Sequence, residues 1–408
     1  MEPTAVALLQ AIYASQPITR RALAQQTGVS TSRINVLVSA LTEAQAVREE
    51  VVQQGGLGRP AGLLSVNPDA GHIAGIDISG QWSRAVLTDV EGCVRGSVIR
   101  NTQTVTDRSE IVGNIVRLIE AVCESAGTLP NNLAGLGVAL GGLVDTYTGV
   151  VHDWPNVPAW ANAWRGLDLR REISARLSIS PICVDDMVRA RGQMAHRFGL
   201  ARDCSDFLYV HLGSGVAAAV FVGGQPYLGR HGMAGELGHV TVDEEGPWCR
   251  CGNRGCLEMV ASTWAVLRRV QERLAETRLT SALREPFETG NLSLEALIEA
   301  ACSGDKLAFQ ILDETGSYVG RALAFALNLL SPELVVLGGP LTQDGGIILE
   351  AVQRQVRLHA LQHIWKQTRM ICDGYDELGA ARGAALVAID TIFRSQDHLQ
   401  RLLSKTSQ

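Results

Sequence analysis

The chain has 408 residues, 46% hydrophobic and 19% charged, with 42 glycines, which is too long for one compact core and too apolar for disorder, so several globular units are expected. A formal net charge of −6 excludes a whole-surface nucleic-acid coat but leaves room for a small DNA-binding module on an acidic body. No secretory leader or membrane-length apolar run is evident, and the nine cysteines are not arranged as a secreted disulfide framework, so a cytoplasmic protein without membrane insertion is expected.

Residues 4–15 place Val6, Leu9, Ile12 and Tyr13 at helical spacing, and Pro17 ends that helix. Thr19 stands as the cap of a helix over Arg20–Gln26. Gly28 supplies a tight turn, and Ser30 caps a further helix to about Leu41 whose inner face carries Ile34, Leu37, Val38 and Leu41. This is helix-turn-helix spacing. Thr31, Ser32, Arg33, Asn35 and Ser39 then project outward, side chains suited to base edges or phosphates in a major groove. Arg20, Arg21 and Arg33 are the only charged residues between Thr19 and Leu41, so this surface is locally basic. Ala44–Val52 reads as a strand, followed by a Gly-rich wing in which Arg59, on the stiff segment Gly58-Arg59-Pro60, is placed for a minor-groove or phosphate contact. Periodicity alone leaves open a three-helix packing unit or protein-interaction module.

From residue 71 the pattern changes to alternating strands and helices, expected of α/β layers. A domain boundary is therefore placed there, with a DNA reader over 1–70 and a body over 71–408 expected to fold without it. Ile73–Ile78 and Ser83–Thr88 read as paired strands joined at Gly80 and Gln81, and Arg108–Ala126 as a helix. Strand Gly135–Ala139 runs into Gly141-Gly142, strands Phe207–Leu212 and Ala217–Val222 flank Gly213-Ser214-Gly215, and Leu334–Leu337 runs into Gly338-Gly339. Such turns expose N–H groups to a phosphate or a sugar, although each alone is also explained as a tight turn. Within 239–256, His239, Cys249, Cys251 and Cys256 offer one imidazole and three thiolates, a frequent closed, structural zinc set, with Gly252 and Gly255 letting the chain fold back. Three reduced thiols, or a redox-active Cys-x-Cys pair, are the alternatives.

In this order, GIDISGQWSRAVLTDVEG (75–92), GLGVALGGLVDTYTGVVHDWPNVPAW (135–160), HLGSGVAAAVFVGGQPYLGRHGMAGELGH (211–239), CRCGNRGCLE (249–258), LNLLSPELVVLGGPL (327–341) and LGAARGAAL (378–386) resemble the ROK family of sugar kinases and repressors. The N-terminal helix-turn-helix resembles its Mlc/NagC/XylR-type regulator branch. The resemblance implies a two-lobed actin-like body of the ribonuclease H or hexokinase type behind a winged helix-turn-helix domain, with a sugar or sugar phosphate in the interlobe cleft as effector. It also implies operator DNA as partner, a homodimer or homotetramer, structural Zn2+ on His239, Cys249, Cys251 and Cys256, and the option of a sugar-transport protein partner. Sugar contacts are implied at Asn156, Asp186, Glu236, His239 and Glu258, of which the last three flank the zinc ligands closely enough to surround one pocket. Surface carboxylates are the plainer account of Glu236 and Glu258.

ROK kinases carry a Glu-Asn-Asp segment whose Asp is the general base for the attacking hydroxyl. Aligned without gaps on Arg197-Phe198-Gly199, this chain has Met187 at the base position and Asp186 at the preceding Asn. Gln81 replaces the usual Thr of one phosphate turn, and Ala217 and Ala218 are expected to crowd the other. These departures speak against ATP as cofactor and for a sensor without catalysis. A one-residue slip would restore Asp186 as base, which leaves an ATP-dependent hexose kinase as the second reading.

Overall fold

The computed structural model describes residues 2–52, 61–79, 82–101, 107–154, 163–276 and 280–406. Arg59, Gln81 and Asn156, and with them the wing tip, lie outside these residues.

Helix α1 (Pro3–Ser15) buries Ala5, Val6, Leu8, Leu9 and Ile12. Helix α2 (Arg20–Thr27) is capped by Thr19, whose hydroxyl accepts the Ala22 N–H at 3.1 Å, and is closed by Gly28 at φ 69°. Helix α3 (Thr31–Glu43) buries Ile34, Leu37, Val38 and Leu41, the face its spacing predicts. Ser30 holds the cap position without capping; its hydroxyl meets that of Ser32 instead. Because α3 runs to Glu43, the next strand starts at Val47 rather than Ala44: β1 (Val47–Val52) pairs antiparallel with β2 (Ala61–Val66), and Ile18–Thr19 adds to the other edge of β2.

The body is built on two five-stranded sheets, with a small antiparallel sheet of Leu143–Asp145, Val150–Asp153 and Leu167–Asp168 beside the first. In the first, β3 (His72–Ser79), β4 (Trp82–Thr88) and β5 (Val94–Asn101) form an antiparallel meander. Helix α4 (Arg108–Ser125) then leads to β6 (Leu133–Leu140), parallel to β3, and β7 (Ile182–Asp186), parallel to β6. Helix α5 (Met187–Phe198) crosses to the second sheet. There β8 (Phe207–Leu212) pairs antiparallel with β9 (Val216–Val222), which pairs with the short strand Gln225–Pro226. After α6 (Thr263–Glu276), α7 (Leu294–Cys302) and α8 (Lys306–Leu330) come β10 (Leu334–Gly338), parallel to β8, then α9 (Ile347–His359) and β11 (Arg369–Cys372), parallel to β10. Numbered within its own lobe, each sheet has the strand order 3-2-1-4-5, the repeat expected of a two-lobed actin-like body.

Helix α10 (Gly379–Arg394) lies against the first sheet and α5, and the run GAARGAAL explains how closely. A Cβ on Gly137 of β6 would lie 1.8 Å from the Ala384 carbonyl oxygen, and one on Gly383 would lie 1.8 Å from that of Ala190 in α5. Backbone touches backbone there, and only small residues permit it. The last helix, α11 (Gln396–Thr406), turns Leu399, Leu402 and Leu403 into one continuous core with Leu9 and Ile12 of α1, Leu64 and Val66 of β2, and Ile389 and Phe393 of α10. The reader and the body therefore share buried apolar surface across residue 71.

Candidate functional site

Parallel strands β3, β6 and β7 end together at Ser79, Leu140 and Asp186, and the carboxyl ends of parallel strands are where α/β sheets leave a crevice. Here the crevice is a cavity of about 290 Å³, at the small end of ligand pockets and suited to one sugar ring. Ser79, Trp154, Asp186 and Met187 wall it from the first lobe, and His211, Ala217, Glu236, His239 and Glu258 from the second. Four of the five expected sugar contacts thus meet at one cavity.

Each is positioned by its element. Asp186 ends β7 and caps α5: its Oδ1 accepts the N–H groups of Val188 at 2.8 Å and Arg189 at 3.1 Å. Burial pushes the Asp186 carboxyl up, opposed mainly by the Arg189 guanidinium. Glu258 is buried and its Oε2 accepts the Val216 N–H at 3.0 Å, which ties it to the β8–β9 turn; it is no ordinary surface carboxylate. Glu236 sits half exposed at the cavity mouth, yet desolvation, and after it the Asp186 carboxylate, pushes it up to about 7. Ala217 and Ala218 lie inside β9, paired with His211 and Val210, and do not crowd the turn as expected, since the turn is confined to Gly213–Gly215.

Residue-type reasoning missed His211. It interrupts the apolar run of β8 two residues before the Gly213 turn, and that interruption is the available signal. Burial, then the Arg191 charge, pushes it down to about 3, so the imidazole is neutral, and its Nδ1 has no hydrogen-bond partner among the described residues.

Beside the cavity, His239, Cys249, Cys251 and Cys256 bring one donor atom each within 4.8 Å of one another. Cys251 Sγ lies 3.7 Å from Cys256 Sγ, and Cys249 Sγ 3.7 Å from His239 Nδ1. A tetrahedral zinc with bonds of about 2.3 Å requires sulfurs roughly 3.8 Å apart, whereas a disulfide requires about 2 Å. The donor set therefore fits a closed metal site. Its loop depends on Gly255, at φ 66°, where a Cβ would lie 1.5 Å from the Asp243 carbonyl oxygen. His239 turns Nδ1 to the sulfurs and Nε2 to Glu236, 3.8 Å from Oε2, so one ring borders both the thiol cluster and the cavity.

On the N-terminal unit, Arg21, Thr31, Ser32, Arg33, Asn35 and Ser39 are exposed. Arg20 is half-buried, forks onto Glu49 at 2.7 and 2.9 Å and reaches Asn35 Oδ1 at 3.3 Å, while Arg33 pairs with Glu2. Own-chain carboxylates thus offset two of the three cations. The exposed Arg33–Glu2 pair is worth about 0–1 kcal/mol, so a phosphate competes readily for Arg33, whereas the half-buried fork of Arg20 on Glu49 holds more firmly. Among the described residues, no helix is long and apolar enough to cross a membrane.

Comparison with known proteins agrees with this layout. The xylose repressor of Bacillus subtilis (strain 168) is 27% identical over 384 residues, covering 94% of this chain and 94% of its own. A solved ROK family transcriptional regulator, described as a homologue of the E. coli Mlc protein, superposes with a TM-score of 0.83 at 25% identity over 98% of both chains. A ROK family glucokinase from Streptomyces griseus, solved with glucose and AMPPNP, superposes with a TM-score of 0.67 at 25% identity over 78% of this chain and 100% of its own. The family model described as ROK family matches residues 73–391, more than half of the chain, and the chain belongs to the ROK family, with its transcriptional regulators.

Proposed function

We propose that the protein is a sugar-responsive DNA-binding repressor of carbohydrate genes, with structural zinc on His239, Cys249, Cys251 and Cys256 and no kinase activity. The observation that carries this reading is the pairing, in one chain, of an exposed polar α3 with a monosaccharide-sized cavity lined by Asp186, Glu236, His239 and Glu258. The match to repressors extends over nearly the whole chain, whereas the glucokinase match leaves about a fifth of it uncovered.

Zinc would hold the loop between Glu236 and Glu258 and, through His239, orient an imidazole toward a sugar hydroxyl. Met187 supports the absence of phosphoryl transfer: a thioether accepts no proton, and Asp186 already spends one oxygen on two backbone N–H groups. A second copy is proposed as partner, because operators are built of two half-sites. Phe325 and Leu329 on α8 and Leu358 and Leu361 at the end of α9 leave an exposed apolar patch for it.

A thermal-shift screen of D-xylose, D-glucose, N-acetyl-D-glucosamine and their phosphates, with and without ATP, identifies a ligand by the stabilisation it gives the native state. Duplex DNA selected by the protein from a random pool should then bind or release according to that ligand. ATP-dependent sugar-phosphate formation, lost in Asp186→Asn, would establish the kinase reading instead.

A further inference from the structure

We propose that α5 is a strut that carries the state of the sugar cavity to the DNA reader, and that Tyr13, Asp390 and Gln193 form its joint. This names the regulation of the site proposed above and rests on that reading.

The N-terminal end of the strut belongs to the cavity. Asp186, Met187 and Val188 all line it, and the Asp186 carboxylate fixes the first turn through its bonds to Val188 and Arg189. The helix is 12 residues long, about 18 Å at 1.5 Å per residue. Near its start it has no room to bend toward α10, since Ala190 and Gly383 meet backbone to backbone.

Its C-terminal half meets α1 through directional contacts. Gln193 donates from Nε2 to Asp390 Oδ2 at 2.6 Å, and the Tyr13 hydroxyl donates to Asp390 Oδ1 at 2.7 Å, so one carboxylate of α10 holds both helices. Arg197 of α5 lies 5.1 Å over the Tyr13 ring, which stacks on Phe393 with centroids 3.9 Å apart and planes 8° off parallel. Burial pushes the Tyr13 phenol up, so it remains a neutral donor. The joint borders an open groove of about 1160 Å³ lined by Gln10, Tyr13, Arg197, Asp390 and Arg394, so space adjoins it on that side.

From α1 the path reaches the reading helix. α1 packs against α3 within one buried core that holds Leu9, Ile34 and Val38, and Glu2, at the start of α1, pairs in addition with Arg33 on the exposed face of α3. A rotation of α5 about its contact at Ala190 would displace Tyr13 and with it α1, against which α3 packs. Spatial intermediacy alone is no proof of coupling, so the test perturbs each end separately.

Hydrogen exchange of α1 is the readout. Asp186→Ala uncaps α5 with no sugar present, and it is expected to change exchange across residues 3–15. The change should disappear when Tyr13→Phe is added, which keeps the Phe393 stack and loses the Asp390 bond. Gln193→Ala, which cuts the other arm of the joint, should do the same. Saturating D-xylose or D-glucose should produce a matching change in otherwise unaltered protein. Tyr13→Phe should leave sugar affinity within about twofold while reducing the sugar-induced change in DNA affinity by about fivefold or more, a normal span for coupling between sites. Uncapping that leaves α1 untouched, or that reaches it equally with and without Tyr13→Phe and Gln193→Ala, overturns the strut. If no sugar binds but uncapping still reaches α1 through Tyr13, the effector reading falls and the strut stands.

Discussion

His239 places one ring nitrogen 3.7 Å from Cys249 Sγ and the other 3.8 Å from Glu236 Oε2. Disturbing the cluster should therefore weaken the cavity. Cys251→Ser alters an exposed thiol and is expected to reduce bound zinc from about one per chain to almost none. Sugar affinity should fall roughly 10–100-fold, the scale of lost support behind a metal or ligand contact. Elemental analysis with calorimetry checks this; normal sugar binding by metal-free protein would refute it. The donor set was legible because its spacing is local. His211 was not, because its role depends on β9 and on Arg191 beside it. Arg33 was legible as exposed, but its pairing with Glu2 joins residues far apart in sequence. Asp186 carries an ordinary cap signature, an Asp directly before a helix, and weighing it as a sugar contact or a base concealed that.

Among the elements, α2 and α3 follow to within two residues from apolar periodicity and caps, because one face of each is buried, and β3 and β8 follow from apolar runs bounded by turns, because both of their faces are buried. What periodicity leaves unstated is how near two elements approach. Small side chains by themselves would leave the GAARGAAL helix weakly packed, yet here they bring α10 onto β6 and α5 at backbone distance. Gly383→Ala distinguishes the two views by sign. In an open helix the change stabilises by up to about 1 kcal/mol. Here the added methyl would meet the Ala190 carbonyl at 1.8 Å, and forcing α5 away should cost about 1–3 kcal/mol. Urea unfolding at constant slope measures it; a stabilised variant would show that the helices separate freely.

For the whole molecule, the division at residue 71 is a change of pattern but not a break in the core. The boundary read from the sequence marks where helices give way to α/β layers, and sequence pattern carries no information about Tyr13 stacking on Phe393 or α11 closing over both units. A chain of residues 71–408 is expected to lose DNA binding and, with Phe393 and Leu399 uncovered, to unfold several degrees lower by calorimetry; an unchanged midpoint would mean that the shared core contributes nothing. Phe325→Glu places a charge in the exposed patch at the end of α8, and light scattering should report a shift toward single chains. The shared core has one more consequence. Five residues, with Pro68 and Ala70 buried, join β2 to β3, so the reader has no slack. In an assembly of two chains, the gap between reading helices is then set by how the bodies abut, and the molecule works as a caliper: inserting about five base pairs, half a turn of duplex, between operator half-sites should defeat it.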